Sequence, residues 1–250
     1  MNQARVLFFD FETAPKLIYA WGDWEQNAIA TKRYGYMISF AWKWLGEKKT
    51  HVRTLPDYKL YKKEPFNDRE LVKELWGLLN SADVVVAHNA RRFDCRKVNS
   101  RFVFHNMKPP KPYLIHDTLE VAKKHFAFDS NKLDSLGDYL GVGRKVTHTG
   151  AKLWLDCEAG DMKAWKLMGK YNIGDVDLLE RVYHRLKVYT NTHPNIALIN
   201  GVKKACPVCG SKKLTRHFEI FTRVTAYPSY QCDDCGAWSK DTGKENSQVR

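Results

Sequence analysis

The sequence predicts an α/β protein, a mixed sheet flanked by helices, with a small cysteine-punctuated module behind it. Three observations carry this prediction. Apolar, β-branched runs come first, two of them close enough to pair antiparallel. Strand and helix patterns then alternate, and the composition changes near His193. A chain of 250 residues suits one medium domain plus a small one, and 44% hydrophobic residues are enough for a packed core.

The elements follow in order. Arg5 to Phe9 is a short apolar run ending in Asp10, the pattern of a buried strand. Tyr36 to Trp44 is β-branched and aromatic, and His51 to Leu55 can pair with it across a turn at Gly46. Phe66 to Leu79 carries Leu71, Leu75, Leu78 and Leu79 at helical spacing, with Asn67 or Asp68 as its cap. Ala82 to His88 is a strand buried on both faces. Phe93 to Met107 is helical and stops before Pro109 and Pro110. Tyr113 to His116 is a short strand, with a helix from Asp117. Asp161 to Tyr189 is a long helical stretch with an expected interruption near Gly169 or Gly174. These elements make a domain of residues 1–193. Residues 194–204 lack a helical stripe and read as a linker, 205–240 as a metal-folded unit, and 241–250 as a polar, flexible tail.

The charge balance, 41 Lys+Arg against 28 Asp+Glu, points to a polyanionic partner such as nucleic acid, although net charge also serves solubility. No stretch approaches the ~20 apolar residues of a bilayer helix, so no membrane association is expected. The start, MNQARVLFFDFE, is unlike a secretion signal. Four of the six cysteines form two C-x-x-C pairs, which in a reducing, cytoplasmic setting mean metal.

Three acidic motifs carry chemistry. Asp10 and Glu12 lie two apart at a strand end, so both carboxylates share one face. They repel each other unless a cation sits between them, and hard oxygen ligands favour Mg²⁺ or Mn²⁺. A polar strand end leading into a turn has the same pattern. Asn89-x-x-x-Phe93-Asp94 follows a buried strand, which aims Asp94 into the cleft beyond the sheet edge. Asp94 fits equally as a helix cap. Tyr171 and Asp175 stand at i and i+4 on one helix face. Asp177 is about 200° around the helix from Asp175 and is expected to be exposed.

In this order, the segments FFDFETAP, VVVAHNARRFD and YNIGDVDLLERVY resemble the DEDD exonucleases of the ribonuclease H-like superfamily, in the subgroup with tyrosine in the third motif. They are similar to the proofreading exonuclease domains of DNA polymerases. The resemblance covers about residues 4–190. It implies a ribonuclease H-like sheet in which Asp10, Glu12, Asp94 and Asp175 hold two Mg²⁺ or Mn²⁺ ions and Tyr171 orients the attacking water. It implies release of nucleoside 5′-monophosphates from single-stranded 3′ ends. The segment IHDTL, Ile115 to Leu119, belongs to the same resemblance, with Asp117 as a helix cap. Arg91 and Arg92 depart from the small or acidic pair common in relatives, and place positive charge beside the site, where it either helps to hold phosphate or alters substrate choice.

Cys206, Cys209, Cys232 and Cys235, as CPVCG and CDDCG, have the spacing of a zinc ribbon binding one structural Zn²⁺. Lys212 and Lys213, with Arg216, Arg223 and the nearby aromatics, fit nucleic acid; a protein partner and a plain solvated surface fit as well. Lys123, Lys124, Lys132, Arg144 and Lys145 line a strand-binding groove or form a solvated face. The leading expectation is a two-metal 3′→5′ exonuclease. The alternatives are a nucleic-acid- or protein-binding module on the same fold, and a structure-selective endonuclease.

Overall fold

The computed structural model describes residues 3–24, 27–243 and 248–249. Strand β1 (Val6–Thr13) leads into a hairpin of β2 (Leu17–Tyr19) and β3 (Ala30–Arg33), then β4 (Met37–Trp44) and β5 (His51–Thr54). Helix α1 (Arg69–Ser81), β6 (Val84–Ala87), α2 (Cys95–Phe104), β7 (Leu114–Asp117) and α3 (Thr118–His125) alternate after them. Three helices complete the domain: α4 (Leu133–Tyr139), α5 (Lys152–Glu158) and α6 (Met162–Leu186).

The main sheet has five strands in the order β5-β4-β1-β6-β7. Strand β4 is antiparallel to β1 and β5; β6 runs parallel to β1, and β7 parallel to β6. Alternation along β1 sends Leu7, Phe9 and Phe11 to one face, where they pack with Leu71, Leu75 and Leu79 of α1 and Val98 and Phe102 of α2. Val6 and Phe8 take the other face with Val121 of α3, Leu136 of α4, and Val176, Leu179 and Val182 of α6. Each such side chain, taken from water, stabilises the fold by about 1.5–3 kcal/mol. Asp10 and Glu12 continue the second series and therefore face α6. The mixed sheet with helices on both faces is the predicted fold class.

Four local expectations need correction. Helix α6 is continuous through Gly169 and Gly174. A Cβ at Gly174 would come within 2.7 Å of Val146 Cγ2, so this glycine admits a close approach rather than a break. Asp68 holds the N-cap position of α1 but makes no capping bond. Its buried carboxylate accepts from Arg101 Nε at 2.8 Å and Nη2 at 2.6 Å and contacts His105 Nε2 at 2.6 Å instead. The supposed linker contains a one-turn helix, α7 (Ile196–Ile199), with Ile196 and Ala197 buried. Ala4 N donates to Asn200 Oδ1 at 2.6 Å, and Ile196 N donates to Pro207 O at 2.8 Å, tying the segment to both sides. The polar tail is partly paired: β8 (Leu214–Phe221), β9 (Ala226–Cys232), β10 (Trp238–Asp241) and β11 (Gln248–Val249) form an antiparallel sheet. Residues 244–247 and 250 of that tail lie outside the described residues. No described helix is long and apolar enough to cross a membrane.

Candidate active site

The C-terminal ends of the parallel strands β1, β6 and β7 share one sheet edge, and the acids collect there. Asp10 and Glu12 come from β1, and Asp175 comes from the middle of α6. One carboxylate oxygen of each lies within 4.8 Å of the others. Asn172 Nδ2 donates to Asp10 Oδ2 at 2.8 Å, and Ser39 Oγ donates to Asn172 Oδ1 at 3.0 Å, so a buried amide from α6 and a β4 hydroxyl fix the first acid. The Trp154 side chain on α5 lies close enough to Glu12 to favour its charged form. Lys145 Nζ donates to Asp175 Oδ2 at 2.7 Å and to the Tyr171 hydroxyl at 3.1 Å. The Tyr171 ring is bracketed by His148 and Trp154, with centroids 4.7 and 6.0 Å away.

Asp94 stands apart from this trio. After β6 the chain turns sharply at Asn89, whose φ of 80° is left-handed, a conformation asparagine tolerates well. Asp117 pins the turn: its Oδ1 accepts from Asn89 N at 2.9 Å and its Oδ2 from Arg91 N at 3.1 Å. It also caps α3 through the backbone of Leu119 and Glu120, the capping role read from the sequence. A π-helical turn, Ala90–Asp94, then delivers a buried Asp94. Its carboxylate is outside the three-oxygen group, yet its charge still acts on Asp10 and Glu12.

Crowded carboxylates hold their protons. Burial, and then the charges of Glu12, Asp175 and Asp94, raise Asp10 well above the usual range. Glu12 is pushed up to about 7, by burial first and Asp175 next. Asp94 also rises to about 7; burial dominates, its own backbone N–H opposes, and Asp117 adds to the rise. Burial raises Asp175 against the pull of Lys145. Burial alone would lower Lys145, but Asp175, Tyr171 and Asp10 outweigh it and keep the ammonium charged. Burial and then Asp175 hold the Tyr171 phenol above its ordinary value, so it stays protonated.

Other sequence candidates take scaffold roles or lie at the rim. Arg91 donates to Ile115 O at 3.0 Å and pairs with Glu120 at 3.2 Å. Arg92 lines a recess with Asn89, Lys123 and Lys124. Lys132 and Lys145 line the neighbouring one with His88 and Asn89. His88 bridges Thr118 Oγ1 at 2.9 Å and Asn131 O at 3.0 Å, and burial lowers it to about 4, so it is a neutral structural group. Asp177 points away from the site, as the helix-face argument requires. It is half-buried rather than exposed, bonded to Thr50 and 4.0 Å from Lys43. Lys212 is exposed and Lys213 pairs with Asp234 at 3.1 Å. Burial pushes the Cys95 and Cys157 thiols up to about 11 and 12. Sequence reasoning missed Asn172, Ser39 and Trp154 as site residues. Asn172 carried a signal: a polar residue on the buried stripe Met168, Asn172, Asp175, Leu179.

The four C-x-x-C thiols converge beyond the far end of α6. Cys206 and Cys235 sulfurs are 3.6 Å apart, as are those of Cys209 and Cys232, and all four lie within 4.8 Å of one another. Ligands ~2.3 Å from a tetrahedral Zn²⁺ stand about 3.8 Å apart, so the spacing fits a zinc ribbon. Lys187, just past α6, is buried and near enough to feel the charge of all four thiols. The acidic trio also suits metal. Asp175 Oδ1 and Asp94 Oδ2 are buried with no hydrogen-bond partner, and an all-oxygen set is what Mg²⁺ or Mn²⁺ takes.

A five-strand mixed sheet of this order, flanked by helices on both faces, defines a ribonuclease H-like α/β fold. The chain matches the RNase_H superfamily model over residues 7–187, and it belongs to that superfamily. Among solved structures it is similar to the family B DNA polymerase from the hyperthermophilic archaeon Pyrobaculum calidifontis, with a TM-score of 0.56 and 16% identity. The match covers 74% of this chain and 25% of the polymerase chain, so the likeness is one of fold over a quarter of that protein. No curated protein matches the chain.

Proposed function

We propose that the protein is a divalent-metal-dependent 3′→5′ exonuclease of the DEDD type with tyrosine in its third motif, acting on single-stranded ends. The observation that carries this reading is the convergence of Asp10, Glu12 and Asp175 beside Tyr171, with an unpartnered Asp175 oxygen among them. Asp10, Glu12 and Asp175 would hold the cation, and Asp94 would hold its share of a second from across the cleft. Bound Mg²⁺ or Mn²⁺ supplies Lewis acidity, lowering the pKa of water and neutralising phosphate charge. The chain's own residues do the rest. Asn172 and Ser39 fix Asp10, and Trp154 orients Glu12. The protonated Tyr171 orients a water and cannot serve as base. Lys145 offers an ammonium to a phosphate oxygen. Residues 205–240 form a Zn²⁺-held ribbon on a domain of residues 1–193; the ribbon's basic face serves nucleic acid or a protein partner.

The test is an end-labelled single strand with a free or blocked 3′ end, in Mg²⁺ or Mn²⁺. Stepwise mononucleotide release, stopped by the block, is expected. Cutting of a circular single strand would mark an endonuclease, and binding without turnover in either metal a binding module.

A further inference from the structure

The hairpin β2–β3 departs from the rest of the molecule in what it exposes. Trp21 is 90% and Trp24 84% exposed, whereas Trp42 and Trp165 are 8% and 4%. Tyr19 and Tyr34 on the stem are also exposed. Large apolar side chains exposed together on one short segment mark an interaction surface more than a fold requirement. The stem pairs Leu17 with Arg33, Ile18 with Thr31 and Tyr19 with Ala30.

The hairpin is anchored to the active site from two directions. It grows directly out of β1, whose last residues include Glu12. From the other side, Glu158 of α5 binds Arg33 and accepts from the Tyr36 hydroxyl at 3.2 Å. Four residues earlier on the same helix, about 6 Å along its axis, Trp154 stands beside Glu12 and packs near Tyr171. Nine residues separate Glu12 from Trp21, a reach of at most ~30 Å. The indole of Trp21 thus lies within that reach of the carboxylates.

Resting on the exonuclease reading above, we infer that Trp21 and Trp24 form a stacking platform for bases of the single strand whose 3′ end enters the acidic site. The charge near the acidic site, rather than on the hairpin itself, favours this occupant. In the hairpin sequence, Lys16 and Lys32 are offset by Asp23 and Glu25, whereas Arg92, Arg96 and Lys97 are exposed before and after Asp94. The chain as a whole carries +13. Indole faces stack on any base, so such a platform holds a strand without reading its sequence.

The test uses the full-length, zinc-loaded protein. In an Asp10→Asn background, which keeps the strand intact, anisotropy measures binding of a fluorescein-labelled 12-nucleotide single strand. Adding Trp21→Ala and Trp24→Ala is expected to weaken binding ~30-fold, from about 1 kcal/mol per lost stack. Trp21→Phe with Trp24→Phe, which keeps ring faces, is expected to restore most of it. In the active protein, the ratio of kcat/KM for the strand to that for p-nitrophenyl thymidine 5′-phosphate, too small to reach the hairpin, should fall by a similar factor in the Ala pair. Unchanged strand binding in the Ala pair would overturn the inference. So would a loss that the Phe pair does not restore, or conversion from dimer to monomer with binding intact, which would make a second copy the occupant. If wild-type protein cleaves neither substrate, the nuclease reading fails while the binding measurement still decides the platform.

Discussion

The middle of α6 and the point just past its C-terminal end offer a controlled contrast. About 18 Å of chain separates Asp175 from Lys187, and each place meets a cluster of like-charged ligands. At the first, three carboxylates crowd together with one buried Asp175 oxygen left unpartnered, beside a cleft lined by lysines. At the other, four thiols close on one another, with Val208, Ala237 and Val188 around them. The oxygen cluster is assembled from β1 and α6, with α2's leading turn and α5 around it, and stays open to a ligand. The sulfur cluster is built from two local turns and is closed. An open set with spare valence suits chemistry, and a closed tetrahedral set suits structure. On the proposed reading, the same helix carries the reactive centre in its middle and docks against the structural one past its end.

The sharpest way to break this contrast is to remove ligands from each cluster. Asp10→Ala or Asp175→Ala should cut strand hydrolysis by roughly a thousandfold or more, since metal stabilisation of several kcal/mol is lost and each 1.36 kcal/mol is tenfold. The circular dichroism spectrum should be unchanged. Cys206→Ser or Cys232→Ser should do the reverse. Zinc released to a chromogenic chelator should rise, and hydrogen exchange should lose protection from about residue 205 onward while the β1–β7 sheet keeps its own. Loss of protection across the whole sheet would show that the ribbon is not a separate folding unit.

A smaller effect follows from the protons the acids hold. Glu12 and Asp94 titrate near 7 in the folded state, against ordinary values near 4. The native protein without Mg²⁺ or Mn²⁺ thus binds more protons than the unfolded chain between about pH 4 and 7, and its stability falls as pH rises through that window. Glu12→Gln should flatten this decline in Tm, and added Mn²⁺ should do the same in wild-type protein. An equally steep decline in the variant would contradict the crowding argument. The smallest effect is expected at Asp177. Its replacement by Ala should leave strand hydrolysis within about twofold, because its carboxylate serves Thr50 rather than the site; a loss matching that of Asp175→Ala would reverse the helix-face assignment.

What the sequence revealed depended on how local each feature is. The cysteine cluster was legible from spacing because each knuckle is one turn. Asp10 and Glu12 followed from strand alternation, and Tyr171 with Asp175 from helical stacking, both short-range rules. What escaped is long-range. The bond between Asn172 and Asp10 spans the sheet-to-helix packing. Trp154 looked like a core residue but stands at Glu12 and Tyr171. Lys145 could have lain on a solvated face; its loop reaches the site where Gly174 lets Val146 approach α6. Helices α4 and α5, seven residues each, are too short for periodicity to show. The β2–β3 hairpin has no apolar alternation because it buries neither face.

The central claim, that the three converging carboxylates are a divalent-metal centre, is tested most directly by Mn²⁺ titration followed by electron paramagnetic resonance on zinc-loaded protein. Wild-type chain should take up Mn²⁺ with loss of the free-ion signal, and Asp175→Asn should leave that signal largely intact at the same concentrations. Identical uptake by the two proteins, or none by either, would contradict it.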